Sequence, residues 1–421
     1  MMKAYKGVVQ MINGLAHYKH TYNVESETVI KPGLANMERA MALLNEPQLA
    51  YKVIHVAGTN GKGSTVTYMK ELAQQHDLKV GTFMSPGIID VHDQIQVNGE
   101  NISQDQLGQV FEEMYTAGLS GICTDFELLT CAAFIHFRNE QVDVAVIEAG
   151  LGGRFDSTNV VQPAVCVIPS IALEHTNFLG DTLESIAMHK AGIIKRGAVA
   201  IVGDISEVAL PIFKQEADKV GAIFEQIGQQ FTLENSIYKD NQYSMTAIRA
   251  GMIGQHQMHN AALAIRAMSQ LIMLEPNKVR KAIAAASLPF RFEKVTNSLY
   301  FDGAHNPASV SVLVQSIQQQ WPNRHVQFVV GMLADKDVQQ VLSLLEGVSD
   351  DFVFVDFNNE RASTAQALMK ASKASKKRIE VDAVSYIVSR AQSEQITVVT
   401  GSLYLLATLR QSVLSQLQTG K

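Results

Sequence analysis

The stretch His55-Val56-Ala57-Gly58-Thr59-Asn60-Gly61-Lys62-Gly63-Ser64-Thr65 overlaps an apolar run, KVIHVA (52–57), and leads into a segment whose Val66, Met69, Leu72 and Ala73 fall on one helical face. Strand, glycine-rich turn and helix in that order decide the fold. Glycines let backbone N–H groups approach phosphate oxygens, and a helix N-terminus adds positive partial charge. Lys62 can neutralise a β- or γ-phosphate, and the Ser64 hydroxyl can ligate Mg²⁺. The spacing is shorter than in the usual phosphate loop, with Gly63 between Lys62 and Ser64. A glycine-rich turn without a ligand is the alternative, and the flanking strand and helix weigh against it.

Working outward, KVGTFM (79–84), VDVAVIEA (142–149) and AVCVIPSI (164–171) are further apolar runs. Their near-continuous hydrophobicity suits strands buried on both faces, and the longer amphipathic segments between them suit crossover helices. A second block begins near Thr296, with SLYFDG, HVQFVVGML, DFVFVDF and ITVVTGS as strands and helices such as 335–346 and 402–415 between them. The stretch 205–250 is weakly patterned. The segment LPFRFEKV (288–295), with its proline and charges, is the candidate boundary. The expectation is an α/β protein of two domains. Residues 1–293 form a P-loop-type nucleotide-binding domain with a largely parallel sheet, and 294–421 form a smaller Rossmann-like domain, with a cleft between them.

The 421 residues suffice for two or three domains with sizeable cores. Hydrophobic residues at 47% and charged residues at 18% exclude a collagen-like or wholly disordered chain. A formal net charge of −6 argues against a general nucleic-acid surface. Cys123, Cys131 and Cys166 form no C-x-x-C pair, so neither a zinc motif nor a disulfide framework is expected. The first twenty residues break every apolar run with charged or polar residues, and no apolar stretch reaches the roughly 18 residues of a membrane span. A cytoplasmic protein without signal peptide, membrane or nucleic-acid partner is expected.

In a parallel sheet the carboxyl ends of the strands share one edge, where α/β ligand sites form. Glu148 ends the run VDVAVI, His175 follows the next strand and Ser85 follows the strand at 79–84, all at the edge of the phosphate loop. Each has a plain reading by itself: a solvated strand end, a hydrogen-bonded turn residue, a turn former before Pro86. Together they point to a Mg²⁺–ATP site. Asp181 and Glu184 have the spacing of a capping box. In the helix that follows, Lys190 falls on an apolar stripe with Leu183, Ile186, Ala187 and Ile194, which on spacing alone reads as a stem that snorkels to solvent.

HVAGTNGKGST, FELLTCAAF, VIEAGLGGRFDSTNV, LEHTNFLGDTLESIAMHKAGIIK, GQHQMHNAALA, FDGAHNP and TGSLY occur in the order seen in folylpolyglutamate synthase/dihydrofolate synthase. From about Lys31 to Tyr404 the chain resembles this folate branch of the Mur ligase superfamily. The resemblance implies an ATP-dependent ligase that transfers the γ-phosphoryl group to a folate or pteroate carboxylate. The amine of L-glutamate then attacks the acyl phosphate. It implies that Asn60, Gly61, Lys62, Gly63 and Ser64 hold phosphates, with Ser64 and Ser85 on one Mg²⁺ and Glu148 and His175 on a second. Asn260, Arg291 and Asp302 correspond to ATP contacts, and His305 and Ser402 to positions near the incoming glutamate and acyl phosphate. Lys62, Lys190, Asp302 and His305 are the catalytic candidates. Lys190 aligns with a carbamylated lysine, a modification that desolvation on an apolar face favours by leaving more neutral amine.

On the pterin side the resemblance implies contacts from Lys31, Pro32 and Gly33, from Thr124, Asp125, Phe126 and Glu127, and from Gly153, Arg154 and Phe155. The chain departs from the family in places. Ser85-Pro86 is followed by Gly87 instead of His or Tyr, and His92-Asp93-Gln94-Ile95 stands for Asn-Glu-Arg-Ile. Glu174 stands for Asp, His189 for Glu and Phe290 for Gly. The rival readings are a cell-wall Mur-type amino-acid ligase and a non-catalytic nucleotide-binding relative. Partners are expected to be small molecules alone, with the chain a monomer.

Overall fold

The structure, a computed structural model, describes residues 14–27, 33–322 and 324–419. It divides into two compact units, one of residues up to Ala250 with Met258–Ala286, the other of Gly251–Gln257 with Ser287 onward.

The first unit is built on eight strands: β1 Lys52–Val56, β2 Val80–Phe83, β3 Ile95–Val97, β4 Glu100–Asn101, β5 Val144–Glu148, β6 Val165–Ile168, β7 Val199–Val202 and β8 Ile223–Gln226. Their order across the sheet is β4-β3-β2-β5-β1-β6-β7-β8. From β2 to β8 in that order neighbours are parallel; β3 and β4 add an antiparallel edge. Every residue of β2, β5 and β6 is buried, as expected of strands covered on both faces. The chain runs from β1 to one side of the sheet and returns through β5 to β6 on the other side of β1. The loops after β5, β1 and β6 therefore meet at a switch of direction, the position where open α/β sheets form ligand crevices.

One face of this sheet packs Phe83, Ile147 and Phe137 with the helices Gln104–Thr116 and Asp125–Asn139. Another core joins Cys166, Ile193, Ala200 and Phe213 beside the helices Leu183–Ala191 and Leu210–Val220. The helix Lys62–Gln75 begins immediately after the glycine turn, because Gly61 in the left-handed region (φ 85°) turns the chain directly into it. At the helix Leu183–Ala191 the cap is Thr182 with Ser185, one residue beyond the expected Asp181 and Glu184. The Thr182 hydroxyl accepts from the Ser185 N–H at 3.1 Å, so the shorter polar pair takes the box and leaves the two acidic side chains out of it.

The weakly patterned stretch holds the helix Leu210–Val220, β8 and a small antiparallel sheet of β9 Thr232–Glu234, β10 Ile237–Lys239 and β11 Ser244–Met245. Buried charge ties it down. Arg266, on the helix Gln255–Ser269, donates twice to Glu225 at 2.6 Å and to Asp240 Oδ2 at 3.2 Å, and the Tyr238 hydroxyl donates to the same oxygen at 2.7 Å. The Glu225 pair pushes the Arg266 guanidinium above its ordinary value. Removing one partner of such a buried set strands the others' charge, at a cost of about 3–5 kcal/mol. Arg266→Ala is therefore expected to lower unfolding stability by about that amount. Urea unfolding followed by circular dichroism checks it, and a loss below about 1 kcal/mol, the scale of an exposed pair, contradicts it.

The second unit has a six-stranded sheet of β12 Glu293–Lys294, β13 Leu299–Phe301, β14 Val326–Val330, β15 Asp351–Val355, β16 Lys376–Glu380 and β17 Ile396–Thr400. The order is β12-β13-β17-β14-β15-β16, parallel throughout except for β12 against β13. Phe328, Phe352, Phe354 and Val398 lie in its core.

Candidate active site

The loop after β1 ends at Gly61, where the backbone conformation and the surroundings both exclude a side chain. A Cβ there would lie 2.6 Å from Asn260 Oδ1. The structure thus brings Asn260, from the helix Gln255–Ser269, onto the phosphate loop. Lys62 opens its helix, donates to the Thr59 carbonyl at 3.3 Å and stands 3.7 Å from Glu148 Oε1. Glu148 and Ser64 are buried, at 5% and 2% exposure. The first N–H groups of the helix Lys62–Gln75 have no carbonyl within the helix, which is what an anion needs.

Lys190 does not snorkel. It is 4% exposed, and its ammonium donates to the Gly58 carbonyl at 2.7 Å. Burial, then the charge of Lys62, lowers its pKa to about 7, against the opposite pull of Glu174, Asp156 and Glu148. Its helix approaches closely because Gly153 lacks a side chain; a Cβ there would lie 2.9 Å from the His189 carbonyl oxygen and 3.2 Å from Lys190 Cα. Asp156 shapes the same loop: its carboxylate accepts the N–H groups of Leu151 and Thr158 and the Thr158 hydroxyl, while burial raises its pKa. The Asx turn Asp156-Ser157-Thr158 was its sequence signal.

Ser85, two residues beyond β2, is partly buried, and His175 is exposed with φ 53° at the start of the short helix Thr176–Leu179. Among the described residues no three of His, Cys, Asp and Glu gather as a metal site. That donor set still suits Mg²⁺, which is held by one or two carboxylates plus substrate phosphates and waters. Glu148 supplies the buried carboxylate, with Ser64, Ser85 and His175 as the further candidates.

Of the pterin-side candidates, Lys31 and Pro32 lie outside the described residues. Gly33 is described, with φ 127°. Thr124 and Glu127 form the capping box of the helix Asp125–Asn139, and Asp125 pairs with Lys19 at 2.6 Å. Phe126 stacks on Phe83 at 5.9 Å and covers Gly150, whose Cβ would lie 2.6 Å from the ring. Arg154 pairs with Glu216 at 3.1 Å, while Phe155 is half exposed and meets His189 edge-on at 5.9 Å. The altered loop after Ser85 closes on itself. The Asp93 carboxylate accepts the N–H groups of Ile88 and Ile89, and a Cβ on Gly87 would lie 2.6 Å from the Asp90 oxygen. His92 completes the closure between Tyr18 at 2.7 Å and Asp90 at 2.9 Å. A ring at position 87 does not fit this loop.

In the second unit, partly buried Asp302 accepts the N–H groups of Phe292 and Ala304 at 2.8 and 2.9 Å. Burial raises its carboxyl against those bonds and the charges of Arg291 and His305. Arg291 lies between Phe290 and Phe292, both left-handed at φ 64° and 50°. Position 290 is where the family's glycine would stand, and its positive φ gives the reason. A Cβ on Gly303 would lie 3.1 Å from Arg291 Nη1. His305 Nδ1 bonds the Gly303 carbonyl at 2.8 Å, and Ser402 is buried with its oxygen accepting the Tyr404 N–H.

Sequence reasoning missed Thr59 and Ser170, whose hydroxyls join the loops after β1 and β6. Hydroxyl residues at the ends of two strands that prove adjacent were the available signal.

The Mur ligase middle domain matches residues 56–268, and the Mur ligase glutamate ligase domain matches 290–403. The chain is 36% identical over 415 residues to the dihydrofolate synthase/folylpolyglutamate synthase of Bacillus subtilis, covering 91% of this chain and 95% of that protein. Its fold superimposes on Escherichia coli FolC in complex with DHPP and ADP with a TM-score of 0.87 and 30% identity, covering 96% of this chain and 97% of that one. It also superimposes on the bifunctional Yersinia pestis enzyme complexed with AMPPNP and Mn ion, with a TM-score of 0.85 and 27% identity, covering 97% and 100%. Among the described residues no helix is long and apolar enough to cross a membrane.

Proposed function

Because this chain belongs to the folylpolyglutamate synthase/dihydrofolate synthase family of the Mur ligases, it is an ATP-dependent ligase of glutamate, and we propose how its own residues carry the reaction. The co-substrates are ATP, L-glutamate and a folate or pteroate carboxylate. A carboxylate oxygen attacks the γ-phosphorus and ADP leaves. The glutamate amine then attacks the acyl carbon, losing a proton as phosphate departs.

The observation that carries this reading is the set of partly buried Lys62 with buried Glu148 and Lys190 around the loop 57–61. Bringing a carboxylate to ATP gathers several negative charges, so catalysis rests on positioning and charge compensation. Gly61, Lys62, Gly63 and Ser64 hold the phosphates through the helix N-terminus and the Lys62 ammonium, with Asn60 and Asn260 bordering them. Ser64, Ser85, Glu148 and His175 hold two Mg²⁺, which supply charge neutralisation on the phosphates when bound. The functional division we propose is 1–293 for ATP binding and 294–421 for glutamate ligation. Arg291, near the end of the first part, and Asp302, in the second, serve ATP, and His305 and Ser402 serve the glutamate and acyl phosphate. Phe155 and Phe126 present an aromatic surface to the pterin-bearing substrate, and Gly153 lets the helix bearing Lys190 close behind it.

Phosphate release is expected only when ATP, Mg²⁺, L-glutamate and dihydropteroate or a tetrahydrofolate are all present. Equal release with and without the pterin substrate removes the assignment.

A further inference from the structure

The backbone ladder between β1 and β6 does not stop where the strands do. Ala57 N–H donates to the Val167 carbonyl at 3.0 Å and Thr59 N–H to the Ser170 carbonyl at 2.9 Å. Two hydroxyls then extend the pairing. Ser170 Oγ accepts the Asn60 N–H at 3.0 Å and donates to the Asn60 carbonyl at 2.9 Å. Thr59 Oγ1 donates to the Ala172 carbonyl at 3.1 Å and accepts the Ala172 N–H at 3.0 Å. Each hydroxyl satisfies both backbone groups of one residue on the opposite loop, as a strand residue would. The fit is close on both sides, since a Cβ on Gly58 would lie 3.1 Å from Pro169 Cδ and one on Gly203 would lie 2.0 Å from the Pro169 oxygen.

Both joined segments carry chemistry. The Gly58 and Thr59 carbonyls receive the Lys190 and Lys62 ammonium groups. Ala172 precedes Glu174 and His175 by two and three residues. We propose that Ser170 and Thr59 are positioning residues that clasp the phosphate loop to the loop bearing Glu174 and His175. Their hydroxyls hold one spacing between the groups that receive phosphate and the groups after β6. This deepens the ligase reading and rests on it only for the role of the phosphate.

The test uses full-length Ser170→Ala, Ser170→Thr, Thr59→Val and Thr59→Ser. The measurements are Mg²⁺–ADP affinity by calorimetry, and kcat and KM for ATP with the Mg²⁺ concentration for half-maximal rate. Ser170→Ala and Thr59→Val are expected to weaken ADP binding and raise KM for ATP and the Mg²⁺ requirement by roughly tenfold or more, the scale of a lost positioning contact. Ser170→Thr and Thr59→Ser keep the hydroxyl and are expected to stay within about threefold of the parent, well inside that loss. Nucleotide affinity and Mg²⁺ requirement within twofold of the parent in both Ser170→Ala and Thr59→Val overturn the clasp. Equal losses in the hydroxyl-keeping variants overturn it too, since they would mark packing alone. A parent protein that binds Mg²⁺–ADP but releases no phosphate with any pterin substrate contradicts the ligase reading. The ADP affinities of the variants still decide the clasp.

Discussion

Lys190→Ala is expected to lower ligase turnover by roughly 100- to 1,000-fold, the scale of removing one preorganised electrostatic group from an active site. The side chain is almost wholly buried and bonded to the Gly58 carbonyl, beside Lys62. An ammonium there adds to the positive charge of Lys62 and opposes a metal ion. The neutral amine can instead add to CO₂, forming the N–C bond of a carbamate and releasing a proton, which turns a cation into an anion. A pKa of about 7 makes this chemistry available at neutral pH, where an ordinary lysine is about one part in a thousand or less neutral. The sign follows: below about pH 7 the protonated form blocks carbamate formation, and activity is expected to rise with pH through that value. Acetate is expected to restore part of the activity to Lys190→Ala, since it returns the carboxylate but not the tether. A bare ammonium at Lys190 in a Mg²⁺–ATP crystal grown at neutral pH with bicarbonate would defeat the idea.

Glu148→Gln is expected to cost about as much, roughly 100-fold or more in kcat, for a different reason. The residue closes β5, is 5% exposed and faces Lys62 at 3.7 Å. Glutamine keeps the shape and removes the charge, so the strand and its packing survive while the counter-charge to Lys62 and the anchor for a divalent cation are lost. The Mg²⁺ concentration for half-maximal rate is expected to rise, with the melting temperature nearly unchanged. Near-normal turnover at limiting Mg²⁺ argues against the role. A collapse of the melting temperature argues that the carboxylate is needed to hold the strand end.

The phosphate loop was legible because its evidence is local. A strand, a glycine turn and a helix are consecutive, and their periodicities and glycine spacing are written in the neighbouring residues 52–73. The same holds for β2, β5, β6, β13, β14, β15 and β17, which lie within their expected apolar runs, whereas the two-residue β12 and the charged β16 have no apolar run to announce them. The stretch 205–250 was illegible for the opposite reason. Its elements are short, and the Arg266, Glu225 and Asp240 charges that hold them come from residues 26 and 41 positions apart. The cap at Thr182 was misplaced by one residue because an acidic pair and a hydroxyl pair offer the same spacing, and only the backbone geometry chooses between them.

The chain by itself determined the class of fold and the strand, glycine turn and helix at its centre, since residue type and short-range period carry that information. Tertiary structure alone decided which way Lys190 points, that Arg154 pairs with Glu216, that Asn260 closes on Gly61, and that Ser170 and Thr59 join two loops. Those outcomes depend on distances between segments 62 to 199 residues apart in the chain, set by close packing across the sheet. A lysine on an apolar helix face snorkels or turns inward according to what covers that face, and the covering element here is a loop 132 residues away.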